Sequence, residues 1–255
     1  MTRPPLLIVG SIHAAILERV ETARLLGFEP IGVQLEGNTG HASLTCYLAN
    51  LIPEEIKGSP CVAGGVAFYK DLENARRDRR WLEANKRLVQ EAENAGFTNW
   101  VTLIHPSAEV SPSSTLGKGV FVGPLVSISS EAILGDFVSL SRNSSVGHHV
   151  AIGDYCAIGP GVIIPGGVTL GASVLVGPAA TFLNGIRVSD GSLIGAGSVV
   201  TRHVRNGNQV MGNPARKLRR PIARLRRFGK NLARRVLRRT GLYSMAKNRY
   251  RRIFR

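Results

Sequence analysis

The sequence is poor in cysteine and has no cluster of this residue. Three cysteines occur among the 255 residues, Cys46, Cys61 and Cys156, and no two of them form a C-x-x-C pair. This number and spacing exclude a disulfide framework and a tetrahedral zinc site. We therefore expect a reducing, cytoplasmic environment.

Acidic residues are absent from the C-terminal segment, which carries the net charge of +16. Residues 216–255 contain 17 basic and no acidic residues, so the preceding part, with 16 basic and 17 acidic residues, is nearly neutral. Nucleic-acid binding is therefore not indicated for the body of the protein. Apolar residues recur in the tail at mostly three or four positions, which predicts an Arg-rich amphipathic helix on the anionic inner face of a membrane. A solvated tail and binding to another polyanion are the alternatives.

No stretch of the sequence reads as a transmembrane helix. The 32 residues between Asp154 and Arg187 are uncharged, but seven are Gly and three are Pro, and the apolar residues recur every six positions. A membrane helix needs about 20 predominantly apolar residues without such a period. The apolar residues 6–10 are interpreted as a buried strand entering a turn, not as a signal peptide.

A six-residue period extends from Ile104 to Val200. Of the seventeen positions in this register, sixteen are aliphatic and the other is Phe182. Gly often follows directly, and a small or β-branched residue comes four places later. This period fits no helix. It predicts short strands that each point one apolar side chain inward, with the glycine allowing the chain to change direction at a corner. Stacked coils of this kind form a hexapeptide-repeat β-helix over residues 101–215.

Residues 1–100 have a different pattern. Residues 6–9 and 31–35 are predicted strands, residues 14–26 a helix that ends at Gly27, and residues 68–95 have helical spacing up to Gly96. We expect a small α/β domain ahead of the β-helix.

Four motifs resemble one family in order and spacing. They are Ile-His-Pro-Ser-Ala at 104–108, Val-Gly-His-His-Val-Ala-Ile-Gly-Asp at 146–154, Ile-Gly-Ala-Gly-Ser-Val-Val-Thr at 194–201 and Gly-Asn-Pro-Ala at 212–215. The chain thus resembles the sugar acetyltransferases of the sialic-acid O-acetyltransferase and bacillosamine-type N-acetyltransferase group, over about residues 5–217. The resemblance implies a left-handed β-helix after a Rossmann-like domain, a homotrimer, and acetyl-CoA bound between neighbouring β-helices.

The resemblance also implies a general base. His148 takes the place of the family's histidine, which removes a proton from a sugar hydroxyl or amine as that group attacks the thioester. It lies two residues after the inward Val146, so we expect it to project from a corner. The family usually has Glu or Asp at the next position, where this sequence has His149. A further family histidine near the thioester is replaced by Ala157.

Other positions are assigned by the same resemblance. Pro178 and Ala196 would hold the acetyl donor largely through backbone groups, and the amide of Gly166 would lie near the developing oxyanion. Ser141, where the family often has Asn, and the nearby Asn143 would contact the acceptor. Cys156 falls on an inward position and is expected in the core.

The N-terminal domain of the family binds the nucleotide-sugar acceptor. Here Gly10, Ser11 and His13 follow the first strand, where backbone amides can approach a phosphate, and Glu36 could accept from a ribose hydroxyl.

The histidines lack the spacing of the hexapeptide-repeat carbonic anhydrases, so no metal is expected. The sequence thus predicts an acetyl-CoA-dependent sugar O- or N-acetyltransferase of glycoconjugate synthesis. The alternative is a non-catalytic trimeric β-helix scaffold with a membrane-associating tail.

Overall fold

The structure is a computed structural model, and it describes residues 3–9, 17–34, 45–48, 58–63, 84–205 and 207–218. The chain divides into two compact units, Met1–Lys217 and Leu218–Arg255. Of the second unit only Leu218 is described, so the predicted amphipathic helix lies outside the described residues. Within the described part, no helix is both long and apolar enough to cross a membrane.

The N-terminal part of the first unit is a four-stranded parallel sheet with two helices. Its strands are β1 (Pro5–Val9), β2 (Glu29–Gln34), β3 (Thr45–Leu48) and β4 (Cys61–Ala63), in the order β3-β2-β1-β4, and the helices among its described residues are α1 (Leu17–Leu25) and α2 (Ala84–Asn94). Gly27 and Gly96 follow these helices with φ of +87° and +94°. Each of the two described helices therefore ends at a glycine in the left-handed conformation, as predicted.

The remainder of this unit is a left-handed parallel β-helix with three faces. Face 1 consists of β5 (Leu103–Ile104), β8 (Phe121–Val122), β11 (Ser139–Leu140), β14 (Ala157–Ile158), β17 (Leu175–Val176), β20 (Leu193–Ile194), β22 (Gln209–Met211) and β23 (Arg216–Lys217). Face 2 consists of β6 (Glu109–Val110), β9 (Ser127–Ile128), β12 (Ser145–Val146), β15 (Ile163–Ile164), β18 (Thr181–Phe182) and β21 (Val199–Val200). Face 3 consists of β7 (Thr115–Leu116), β10 (Ile133–Leu134), β13 (Ala151–Ile152), β16 (Thr169–Leu170) and β19 (Arg187–Val188).

The predicted register holds along the β-helix. Each coil pairs with the next in parallel, as Ile133 does with Ala151. The aliphatic column is buried from Val122 to Val200, and the small residues four places later, including Ser144 and Cys156, are buried with it. One apolar column and one column of small residues therefore fill the interior of the coils.

The glycines after the inward aliphatic residues have a different role from the predicted one. None of them has a positive φ; the left-handed residues come two positions later, for example Leu125 and His149, with φ of 56° at each. A Cβ at Gly153 would lie 2.7 Å from the backbone nitrogen of Ala172 in the next coil. The expectation that these glycines turn the chain is therefore wrong, because they are needed where successive coils approach each other closely.

The end of the β-helix extends further than predicted. Arg216 and Lys217, which we expected to begin the basic tail, form β23 and pair antiparallel with Met211 and Val210 of β22. Gly212 reverses the chain before them with a φ of +101°. The basic tail thus begins after these two residues.

The N-terminal sheet packs against face 1. Leu103 and Phe121 of face 1 share a buried cluster with β1 and α1. The buried Arg19 of α1 donates to Oγ of Ser139 at 2.8 Å, and its guanidinium carbon lies 4.1 Å from the Phe121 ring centroid. Glu18 accepts from Arg142 at 2.5 Å. Much of face 1 is thereby covered.

Replacing Gly153 with Ala should test the close approach of successive coils. We expect Gly153→Ala to lower the free energy of unfolding by about 1–3 kcal/mol, because the added Cβ overlaps backbone that cannot move aside easily. Urea unfolding measures this change. Gly58→Ala is the control, since a Cβ there meets nothing within 4 Å. Equal midpoints for the two variants would contradict this account of the glycines.

Candidate active site

The His148–His149 pair lies at the corner after face 2. This corner joins β12 to β13, and both imidazoles are exposed. His149 has a left-handed φ of 56°, and its N–H donates to the carbonyl of Ser130 in the preceding coil at 3.1 Å. His148 thus projects outward from a corner, as the register predicts.

The two imidazoles are in direct contact. Nδ1 of His148 lies 3.0 Å from Nδ1 of His149, and the rings are nearly perpendicular, at 86°. Since a neutral imidazole has one donor and one acceptor nitrogen, one Nδ1 donates to the other. Among the described residues, no group hydrogen-bonds to Nε2 of His148, so this nitrogen is available to a substrate.

Gly166 provides the space that the His148 ring occupies. A Cβ on Gly166 would lie 2.5 Å from Nε2 and 2.6 Å from Cε1 of His148. The φ of Gly166 is not positive, so close approach and not backbone conformation requires glycine here. Its N–H donates to no acceptor in the described part of the chain. The structure thus brings together three of the predicted positions, His148, His149 and Gly166.

A second group of predicted positions lies at the corner after face 1. Ser141, Asn143, Pro178 and Ala196 all follow strands of this face, and the N–H of Gly197 donates to the carbonyl of Pro178 at 2.8 Å in the coil below. The two groups thus lie along opposite edges of face 2, and one chain does not bring them together in a single pocket.

Ala157 and Cys156 lie away from the His148 corner. Ala157 is an outward residue of face 1 and is buried. Cys156 is in the core, where its thiol donates to the carbonyl of Gly171, and burial raises its pKa to about 12. The thiol is therefore protonated at neutral pH and unsuited to act as a nucleophile.

Several predicted positions cannot be located. Gly10, Ser11, His13 and Glu36 lie outside the described residues. In the ranges that are described, no group of three or more His, Cys, Asp or Glu residues could hold a metal ion.

Sequence reasoning missed the apolar side chains along face 2. Ile163 on this face, Leu125 at the corner before it and Leu183 at its end are 49%, 62% and 50% exposed. Ile163 pairs with Ser145 of the His148 coil. The register could have identified Ile163, because it is an isoleucine at an outward position.

Comparison with known proteins gives a family and several structural relatives. The family model described as bacterial transferase hexapeptide (six repeats) matches residues 131–166, which include His148, His149 and Gly166. PerB from Caulobacter crescentus, solved with CoA and GDP-perosamine, is 26% identical with a TM-score of 0.69, and the match covers 84% of this chain and 97% of PerB. Both comparisons thus support the resemblance of the chain to the hexapeptide-repeat sugar acetyltransferases.

Two more distant structures share the fold of this chain. The acetyltransferase domain of PglB from Neisseria gonorrhoeae, solved with acetyl coenzyme A, is 22% identical with a TM-score of 0.69, and the match covers 86% of this chain and 100% of that domain. WeeI from Acinetobacter baumannii is 19% identical with a TM-score of 0.66, covering 83% and 100%. A search of curated proteins by sequence finds no match. The family assigned by resemblance, and its acyltransferase class, are confirmed.

Replacing Gly166 with Ala should displace the imidazole of His148. The added methyl group would overlap a ring that is exposed and can turn aside by giving up its contact with His149, so we expect a changed ring position with a nearly unchanged unfolding midpoint. A crystal structure of the variant, with its thermal unfolding curve, measures both. Gly153→Ala is the matched contrast, because its overlap is with backbone and should lower stability instead. An unmoved His148 ring in Gly166→Ala would contradict the contact.

Proposed function

We propose that this acetyltransferase moves an acetyl group from acetyl-CoA to a hydroxyl or amino group of a sugar or nucleotide sugar in surface-polysaccharide or glycoconjugate synthesis. The observation that carries the proposal is the exposed imidazole of His148 over the bare backbone of Gly166. The co-crystallised CoA and GDP-perosamine of PerB support this choice of substrates.

His148 is the general base in this proposal. Acetyl-CoA supplies an electrophilic thioester carbonyl. Nε2 of His148 accepts the proton of the acceptor O–H or N–H while that oxygen or nitrogen bonds to the carbonyl carbon. The bond from this carbon to sulfur then breaks, and His148 returns the proton to the sulfur, giving the acetylated sugar and CoA. General-base catalysis of this kind contributes about 10²–10⁴-fold to the rate.

The amide of Gly166 is the proposed oxyanion donor. Its N–H has no acceptor among the described residues and lies beside the His148 ring, so it can donate to the carbonyl oxygen as negative charge develops there. This position needs a residue without a side chain, because the imidazole approaches its backbone closely.

The acetyl donor is proposed to bind along the corner after face 1. Pro178 and Ala196 present short side chains and backbone groups in successive coils there, and Ala157 lies on the adjoining strand of face 1. Ser141 and Asn143, on a lower coil of the same corner, are proposed to contact the acceptor.

A homotrimer would bring this corner near the His148 corner of a neighbouring subunit. The exposed side chain of Ile163 supports an interface along face 2.

The flanking segments complete the proposal. Residues 1–100 are proposed to form a Rossmann-like domain that binds the acceptor through Gly10, Ser11, His13 and Glu36. The strand order β3-β2-β1-β4, with parallel pairing throughout, supports this assignment.

Residues beyond Lys217 are proposed to form a helix on an anionic membrane surface at its cytoplasmic side, because they are basic without acidic residues.

Acetyl-CoA binding tests the donor site. Calorimetry on the full chain should give a micromolar Kd, weakened about tenfold or more in Ala196→Trp, equivalent to at least 1.4 kcal/mol, because the indole would fill the corner. Ala172→Trp is the control, since Ala172 occupies the same position of a different corner, after Gly171. Equal affinities for the two variants would remove Ala196 from the donor site, and no binding at millimolar acetyl-CoA would overturn the proposed reaction.

Turnover tests the proposed base. With a panel of nucleotide sugars that carry free hydroxyl or amino groups, release of CoA should fall by about 10²–10⁴-fold in His148→Ala, the usual contribution of a general base. His105→Ala removes another corner histidine, whose Nδ1 accepts from the backbone N–H of Ser107, and should leave turnover unchanged. Equal losses in the two variants would indicate a structural effect and contradict the role of His148.

A further inference from the structure

The contact between the two histidines restricts where their protons lie. At 3.0 Å, the space between the two Nδ1 atoms holds one hydrogen. A neutral pair therefore has two arrangements. In one, His148 carries its proton on Nδ1 and has a bare Nε2; in the other, His149 donates, and the proton of His148 lies on Nε2.

Only the first arrangement provides a base. Nε2 of His148 is the exposed nitrogen over Gly166, and a nitrogen that already carries a proton cannot take another from the acceptor. We propose that His149 is a positioning residue, which accepts a hydrogen bond from Nδ1–H of His148 and so keeps Nε2 of His148 unprotonated. This choice of tautomer rests on the proposed function, since the 3.0 Å contact by itself admits either donor.

The surroundings of the pair leave the choice between the two arrangements to His149. The coil below presents Glu131 at the equivalent corner position, and the coil above presents Gly166 and Gly167, which are uncharged. No described residue forms an ion pair with either histidine. Within the described residues, the contact with His149 is therefore the hydrogen bond that can fix the tautomer of His148.

Nitrogen NMR of the full chain, labelled in histidine with ¹⁵N, tests the position of the proton. At pH 8, we expect Nδ1–H and a bare Nε2 for His148, assigned with His148→Ala. His149→Asn should preserve this tautomer, because its Oδ1 accepts a hydrogen bond and Asn tolerates a left-handed φ. His149→Leu should shift His148 toward Nε2–H, since no acceptor remains. Nε2–H in the wild type, or the same tautomer in His149→Leu, would overturn the proposal.

The left-handed backbone at residue 149 calls for a stability control. Leucine already occupies this position of a corner at Leu125, with φ 56°, so His149→Leu should fold. Ser173→Leu introduces leucine at another left-handed position, φ 54°, and should have a similar unfolding midpoint with the wild-type His148 tautomer. A changed tautomer in Ser173→Leu would mean that strain, and not the lost acceptor, moves the proton.

Turnover is the second readout. His149→Leu should lower kcat by about tenfold, part of the range that general-base catalysis provides. His149→Asn should keep kcat close to the wild-type value, because its Oδ1 still accepts from Nδ1–H of His148. A kcat of His149→Asn as low as that of His149→Leu would overturn the proposal, while wild type without acetyl transfer would remove the proposed function and leave the NMR result to decide the tautomer.

Discussion

The close stacking of successive coils is the constraint on which the rest of this structure depends. Backbone segments 18 residues apart pair with each other, as Ile133 does with Ala151, at the spacing of about 4.8 Å that neighbouring strands require. A side chain at Gly147 would lie 2.7 Å from the nitrogen of Gly166, and one at Gly166 would overlap His148. The close approach of successive coils thus excludes side chains at these glycines, and the missing side chain at Gly166 leaves the space in which the His148 ring lies.

The packing of the N-terminal sheet on face 1 determines which surfaces remain for a site. Arg19 is buried in this interface, where desolvation lowers its pKa to about 10, so it stays charged at neutral pH. A buried charge is stable only with partners, which Ser139 and the Phe121 ring supply. These contacts favour one placement of α1 on the β-helix, and they leave face 2 and its two corners open.

The sequence predicted the coil register because the period of six specifies which side chains point inward. The same period predicted that His148 projects from a corner and that Cys156 lies in the core. It could not predict the contact of His148 with His149, because this contact depends on side-chain torsions and on the left-handed backbone at 149. Nor could it predict the pairing of Glu18 with Arg142, 124 residues apart. The need for glycine at the corners, which is the close approach of the next coil, was missed because the spacing of residues along one coil does not show how far away the next coil lies.

A histidine in place of the family's acidic residue has a modest electrostatic consequence. A carboxylate about 4 Å from the imidazolium would stabilise it by about 1 kcal/mol in water and about 4 kcal/mol at the effective dielectric constant near a protein surface. His148 is exposed, so the smaller value applies while the corner is open, and it corresponds to less than a tenfold change in rate. In the proposed mechanism, keeping the proton on Nδ1 matters more, because the wrong tautomer has no base at Nε2. An uncharged acceptor such as His149 can provide this.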